Sequence, residues 1–124
     1  MITVQGVTKS FPKGRGRQEV LDDISFQVNK GEVVTLLGES GCGKSTLLHI
    51  VGGFLQADQG DVLLEGKMVK GPNRQCFTLF QQNNLLPWRN VLDNVLLGLT
   101  GPKEKNLEMA LEVLRFVGLE RELD

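Results

Sequence analysis

Residues 38–46 read GESGCGKST and lie between two apolar runs, VVTLL at 33–37 and LLHIV at 47–51. Three glycines, a lysine and three hydroxyls between segments that favour burial narrow the possible folds sharply. The stretch matches GxxxxGK[ST] at Gly38, Gly43, Lys44 and Ser45. Its context is a continuous apolar run, expected as a strand buried on both faces in a parallel sheet, followed by a helix. The helix is expected to start near Lys44 and to stop at Gly52 and Gly53, glycines being the usual helix-ending residues.

Each residue type has a physical reason to be there. Glycines permit backbone turns that a side chain blocks. Successive N–H groups of Gly38, Glu39, Ser40, Gly41, Cys42 and Gly43 then form an anion-binding nest. The following helix adds its positive end and unpaired amides. Lys44 is expected to bring a point charge to the β- and γ-phosphates, Ser45 to ligate Mg²⁺, and Thr46 to contact the α-phosphate. A glycine-rich turn with no ligand would not need a lysine at the crowded start of a buried helix.

Bulk properties bound the rest. The chain has 124 residues, enough for one domain or part of a larger one. At 40% hydrophobic it can pack a core, and its net charge of −1 gives no global attraction to nucleic acid. No apolar run approaches the roughly 20 residues of a membrane helix, and the first residues, MITVQGVTKS, are not a secretory leader. The expected compartment is the cytosol. Cys42 and Cys76 lack metal-site spacing, and the single His49 supplies no second ligand pair.

Along the chain, ITVQGV at 2–7 and SFQV at 25–28 alternate as strands, joined through PKGRGRQ at 12–18. That linker reads as a solvated hairpin tip, with a nucleic-acid-binding patch as the alternative. DVLLEGKMV at 61–69 reads as a hairpin turning at Gly66, and CFTLF at 76–80 as another strand. QQNNLLPWRN at 81–90 is a loop, and VLDNVLLGL at 91–99 a short helix. Pro102 opens a last helix with Leu107, Ala110, Leu111, Leu114 and Val117 on one stripe and Gly118 closing it. The chain ends in LERELD, at Asp124, without a terminal cap.

The motif alone does not choose among nucleotide machines. GTPases carry DxxG and NKxD motifs, and neither occurs here. The sequence resembles the ATP-binding subunits of ABC transporters along its whole length. The resemblance rests on the aromatic Phe11 before the loop, on VLDDISFQVNKGEVVTLLG, on SGCGKSTLL, and on LFQQNNLLPWRNVLDNV. It implies that Phe11, where the family usually has Tyr, stacks on adenine, with Val20 near the base. It implies that Gln81 is the family's mobile loop glutamine, ligating Mg²⁺ and coupling hydrolysis to motion; by itself it would be an ordinary loop amide. Lys44 and Gln81 are then the catalytic pair, and Ser45 and Gln81 the metal ligands. LLPWRN is similar to the nitrate, sulfonate and taurine importer branch. There the region around Trp88 and Arg89 receives a transmembrane permease subunit; the alternative for Trp88 is a local core aromatic.

The implied fold is α/β, a P-loop NTPase of the ABC-ATPase type: a RecA-like core with an antiparallel β subdomain, truncated in the helical subdomain. The expected division is residues 1–84 as nucleotide-binding core and 85–124 as the start of the helical subdomain. LSGGQ, an Asp–Glu strand end and a later switch histidine are absent from the 124 residues. The implied function is the energy-coupling ATPase subunit of an importer for small anions, using ATP and Mg²⁺. It would be homodimeric when full length and peripheral on the cytoplasmic face of the inner membrane, with no nucleic-acid partner. This chain by itself is expected to bind ATP without hydrolysing it, and to expose apolar surface. The alternatives are a non-catalytic nucleotide-binding or regulatory module, and a soluble ABC ATPase of DNA repair or translation.

Overall fold

A computed structural model describes residues 1–82 and 84–122. Asn83 of the expected 81–90 loop and the chain end at Asp124 lie outside the described residues. The chain forms two compact units, Met1–Leu79 and Phe80–Asp124.

The first unit is built on a long hairpin. Strand β1, Ile2–Lys13, pairs antiparallel with β2, Gly16–Val28, and turns tightly at Gly14 and Arg15. The expected strands at 2–7 and 25–28 are therefore the inner ends of a longer ladder. The Gly/Arg-rich linker is mostly strand, because two extended segments joined by a two-residue turn satisfy each other's backbone groups. On the other side of β1 lies β3, Gln59–Leu64, which turns through Glu65 and Gly66, both at positive φ, into the short β4, Lys67–Met68. The sheet order is β2-β1-β3-β4.

Helix α1, Lys44–Val51, packs on this sheet through Leu47 and Ile50. With Val4, Val7, Leu21 and Val62 they form the buried core. Each such side chain contributes about 1.5–3 kcal/mol when removed from water. The helix ends where expected. The N–H of Phe54 donates to the His49 carbonyl and that of Gly53, at φ 78°, to Ile50, which closes the last turn.

Two expected strands are not strands. Residues 33–37 and 77–80 have no regular structure. Val33 and Leu37 are 92% and 89% exposed, Phe77 and Leu79 88% and 86%. Only Leu36 of the first run leans on the core. The reason is pairing: a strand buried on both faces is held by ladders to its neighbours, and none of the described strands runs beside either segment.

In the second unit α2, Val91–Leu96, is capped by Asn90, whose Oδ1 accepts from the Asp93 N–H at 2.8 Å. Helix α3, Lys103–Phe116, starts after Pro102 and buries Ala110 and Leu114. It closes at Gly118 by bonds from Leu119 N–H to Leu114 and from Gly118 N–H to Arg115. Of the expected stripe, Leu107 and Val117 are 41% and 57% exposed. Among the described residues no helix is long and apolar enough to cross a membrane.

Candidate nucleotide site

Residues 38–43 form the connection into α1, ending at Gly43, its N-cap at φ 101°. Gly43 is buried against β2: an added Cβ would lie 2.9 Å from the Val20 carbonyl oxygen and from Leu21 Cδ2, and 3.0 Å from Val20 Cγ1. Only glycine fits that gap and that φ. The close approach seats the loop on the sheet and brings Val20, expected near the base, against the phosphate-loop backbone.

Lys44 emerges from this seat half-buried and turns back over the loop. Its Nζ donates to the carbonyl oxygens of Gly38 at 2.8 Å and Glu39 at 2.6 Å, and lies 3.6 Å from Cys42 Sγ. These partners bear partial charges only, so among the described residues no carboxylate pairs with the ammonium. The first turn of α1 holds no acidic residue, and Gly43 contributes no side-chain cap. The N–H groups of Lys44, Ser45 and Thr46 have no carbonyl one turn back within the helix. Glu39, Ser40, Gly41, Cys42 and Ser45 are exposed, and Thr46 is half-buried. This donor set fits a polyphosphate: a cation, unpaired amides and two hydroxyls. The Ser45 hydroxyl also suits a Mg²⁺ ion, which keeps most of its octahedral shell from water and phosphate.

Phe11 lies on β1 opposite Gln18 and is half-buried. Lys9 Nζ stands 5.7 Å from its ring centroid. Sequence reasoning passed over the residue that organises this end of the hairpin. Asp58 accepts from Lys9 Nζ at 2.7 Å, from Ser10 N–H at 2.9 Å and from Arg17 Nη2 at 2.8 Å. The Lys9 ammonium, then the Ser10 amide, hold its carboxyl down at about 2. An isolated aspartate before Gln59 carries no local signal of such a role; only the pairing of β1 with β3 brings it there.

Gln81 is the second residue of the second unit and is exposed. It follows an irregular segment rather than the expected strand. Trp88 is 76% exposed, which overturns the alternative of a core aromatic. Beside it an apolar cavity of about 470 Å³ is lined by Leu85, Leu86, Pro87, Arg89, Val113 and Leu114 among others. The Asn94 side chain braces the turn above it. It accepts from Leu86 N–H at 2.8 Å and donates to the carbonyls of Leu86, Arg89 and Asn90 at 3.2, 3.1 and 2.9 Å.

Residues 21–123 match the family model described as ABC transporter. An uncharacterised ABC transporter ATP-binding protein of Methanocaldococcus jannaschii is 43% identical over 122 residues, covering 96% of this chain and 46% of the relative. The taurine import ATP-binding protein TauB of Pseudomonas aeruginosa is 42% identical over 123 residues, with the same two coverages of 96% and 46%. The chain thus spans about half the length of the curated relatives it matches. Among solved structures, the dimeric post-hydrolysis state of an ATP-binding cassette bound to ADP and Pi covers 99% of this chain. The match spans 60% of that chain, with a TM-score of 0.81 and 28% identity. The seated loop, the unpaired lysine and these likenesses converge: the chain belongs to the ABC transporter family, and its fold is that of the ABC ATPase cassette.

Proposed function

We propose that the chain carries the nucleotide-binding part of the energy-coupling subunit of an ABC importer. Its cargo would be taurine or a related sulfonate, or nitrate. The observation that carries the reading is Lys44, an ammonium that among the described residues is held by the Gly38 and Glu39 carbonyls and the Cys42 sulfur of its own loop and by no carboxylate, at the uncapped start of α1. An arriving triphosphate replaces those carbonyls with full negative charge, so Lys44 has a driving force to swing onto it. Residues 38–46 bind the phosphates, Ser45 offers its hydroxyl to Mg²⁺, and Phe11 and Val20 take the base. The bound metal and nucleotide supply the charge neutralisation and the scissile bond of hydrolysis.

The roles of Gln81, metal ligation and coupling, are proposed on sequence grounds. So are the homodimer and the permease partner, with Trp88, Arg89 and the adjoining apolar cavity as the docking surface, and the peripheral position on the cytoplasmic face of the inner membrane. Support for the cargo comes from the taurine import relatives. The 124 residues hold no LSGGQ and no Asp–Glu strand end, so by themselves they bind ATP without turning it over.

The test is titration calorimetry of the chain with Mg·ATP, wild type against Lys44→Ala. Loss of binding in the variant is expected. Equal binding by both proteins, or hydrolysis by the wild-type chain that Lys44→Ala abolishes, would overturn the respective half of the reading.

A further inference from the structure

The β1–β2 ladder is interrupted where it passes the phosphate loop. Lys9 pairs with Leu21 and Ser10 with Glu19, so β2 advances two residues against one on β1. Val20 is the extra residue of a bulge. A bulge re-aims the side chains around it, and here Val20 lies against Gly43. The extra residue is left unpaired and the ladder is locally disrupted, so the geometry of the bulge depends on what holds the strands around it.

Asp58 pins it. One carboxylate holds Lys9 Nζ and Ser10 N–H, the two β1 residues that face the bulge, and Arg17 Nη2 on β2 beyond it. Arg17 Nη2 also donates to the Ser10 carbonyl at 3.2 Å, and the Asp58 N–H donates to Thr8 at 2.9 Å. The Lys9 side chain, only 13% exposed, is thereby fixed over the Phe11 ring. The same clamp therefore bears on both residues assigned to the base, Phe11 through Lys9 and Val20 through the bulge.

We infer that Asp58, with Lys9 and Arg17, is a positioning device for the nucleobase: it holds the Val20 bulge and the Phe11 ring in the arrangement that receives the base. The inference rests on the proposed nucleotide site. It assigns no contact between Asp58 and the ligand. It concerns the base end only, so it predicts a selective defect.

The experiment compares Mg·ATP with inorganic tripolyphosphate, which offers the phosphates without a base, on the 124-residue chain. The wild type is expected to bind ATP more tightly. In Asp58→Asn, ATP affinity should fall about five- to tenfold, the low end of what stacking on a base contributes. Tripolyphosphate affinity should stay within about twofold. Arg17→Gln alters a side chain that is 61% exposed and leaves the core untouched, so it decides the matter if Asp58→Asn does not fold. It should move ATP affinity in the same direction by a smaller factor. If both ligands weaken together, Asp58 merely holds the hairpin, and the inference fails. If neither weakens, it also fails. A wild-type chain that binds both ligands equally sinks the base-end inference while leaving the phosphate loop intact. Absence of all binding sinks the proposed function and this inference with it.

Discussion

At the scale of single residues the site depends on where backbone approaches backbone. Gly43 combines a φ of 101° with a gap to the Val20 carbonyl that an added Cβ would close to 2.9 Å. Gly43→Ala should cost about 1–3 kcal/mol from backbone strain alone. It should also push the loop off β2, which a lower thermal midpoint together with weakened ATP binding would report. Asp58 makes a second residue-scale case. Its carboxyl titrates at about 2, down from an ordinary 3.8, because Lys9 and the Ser10 amide favour the charged form. A depressed carboxylate stabilises the fold fully above its unfolded value and loses that contribution as pH falls through the folded one. Acid unfolding of the wild type between about pH 4 and pH 2 should therefore be steeper than that of Asp58→Asn, as followed by circular dichroism. Equal pH dependence would show that the clamp does not form in solution. The glycine-rich connection into α1 was legible because its spacing is local. The Asp58 clamp was not, because its partners on β1 and β2 come together only through strand pairing.

At the scale of elements, local signals placed the helices well. Glycine ended α1 and α3, Pro102 preceded α3, and the 3.6-residue period gave the face of α3 that buries Ala110 and Leu114. Leu47→Ala, in a side chain that is 6% exposed, should cost about 2–5 kcal/mol by opening the contact between α1 and the sheet. Strands were legible only in part. Period-two patterns located the hairpins, but the apolar run at 33–37, read as a buried strand, and that at 76–80, read as another strand, are irregular here. A strand is a relation between segments, and its pattern states a preference that a neighbour must complete. Hydrogen exchange puts this to the test. Amides of residues 33–37 should exchange orders of magnitude faster than those of Val4 and Val7, which lie within the β1 ladders. Comparable protection would mean that the 33–37 segment is paired in solution.

At the scale of the whole molecule the exposed apolar side chains become the deciding quantity. In the first unit Val33, Leu37, Phe77 and Leu79 are each more than 85% exposed, and in the second Phe116 reaches 91%. Single exposed apolar residues are ordinary, but Val33 and Leu37 share one irregular segment, and Phe77 and Leu79 share another. Such segments retain strand-forming sequence and, among the described residues, belong to no strand ladder. That combination favours association with any edge or apolar face that meets it. The isolated chain should therefore self-associate as its concentration rises, seen as earlier elution and increased light scattering. The double variant Val33→Glu and Phe77→Glu should suppress this, since it places charge on both segments without touching the buried core or residues 38–46. ATP binding supplies the control. If it depends on Lys44 and the start of α1, as proposed, the double variant should keep its affinity while losing the tendency to associate. A wild-type chain that stays monomeric across the concentration range would show that these segments are covered in solution by residues of the chain itself.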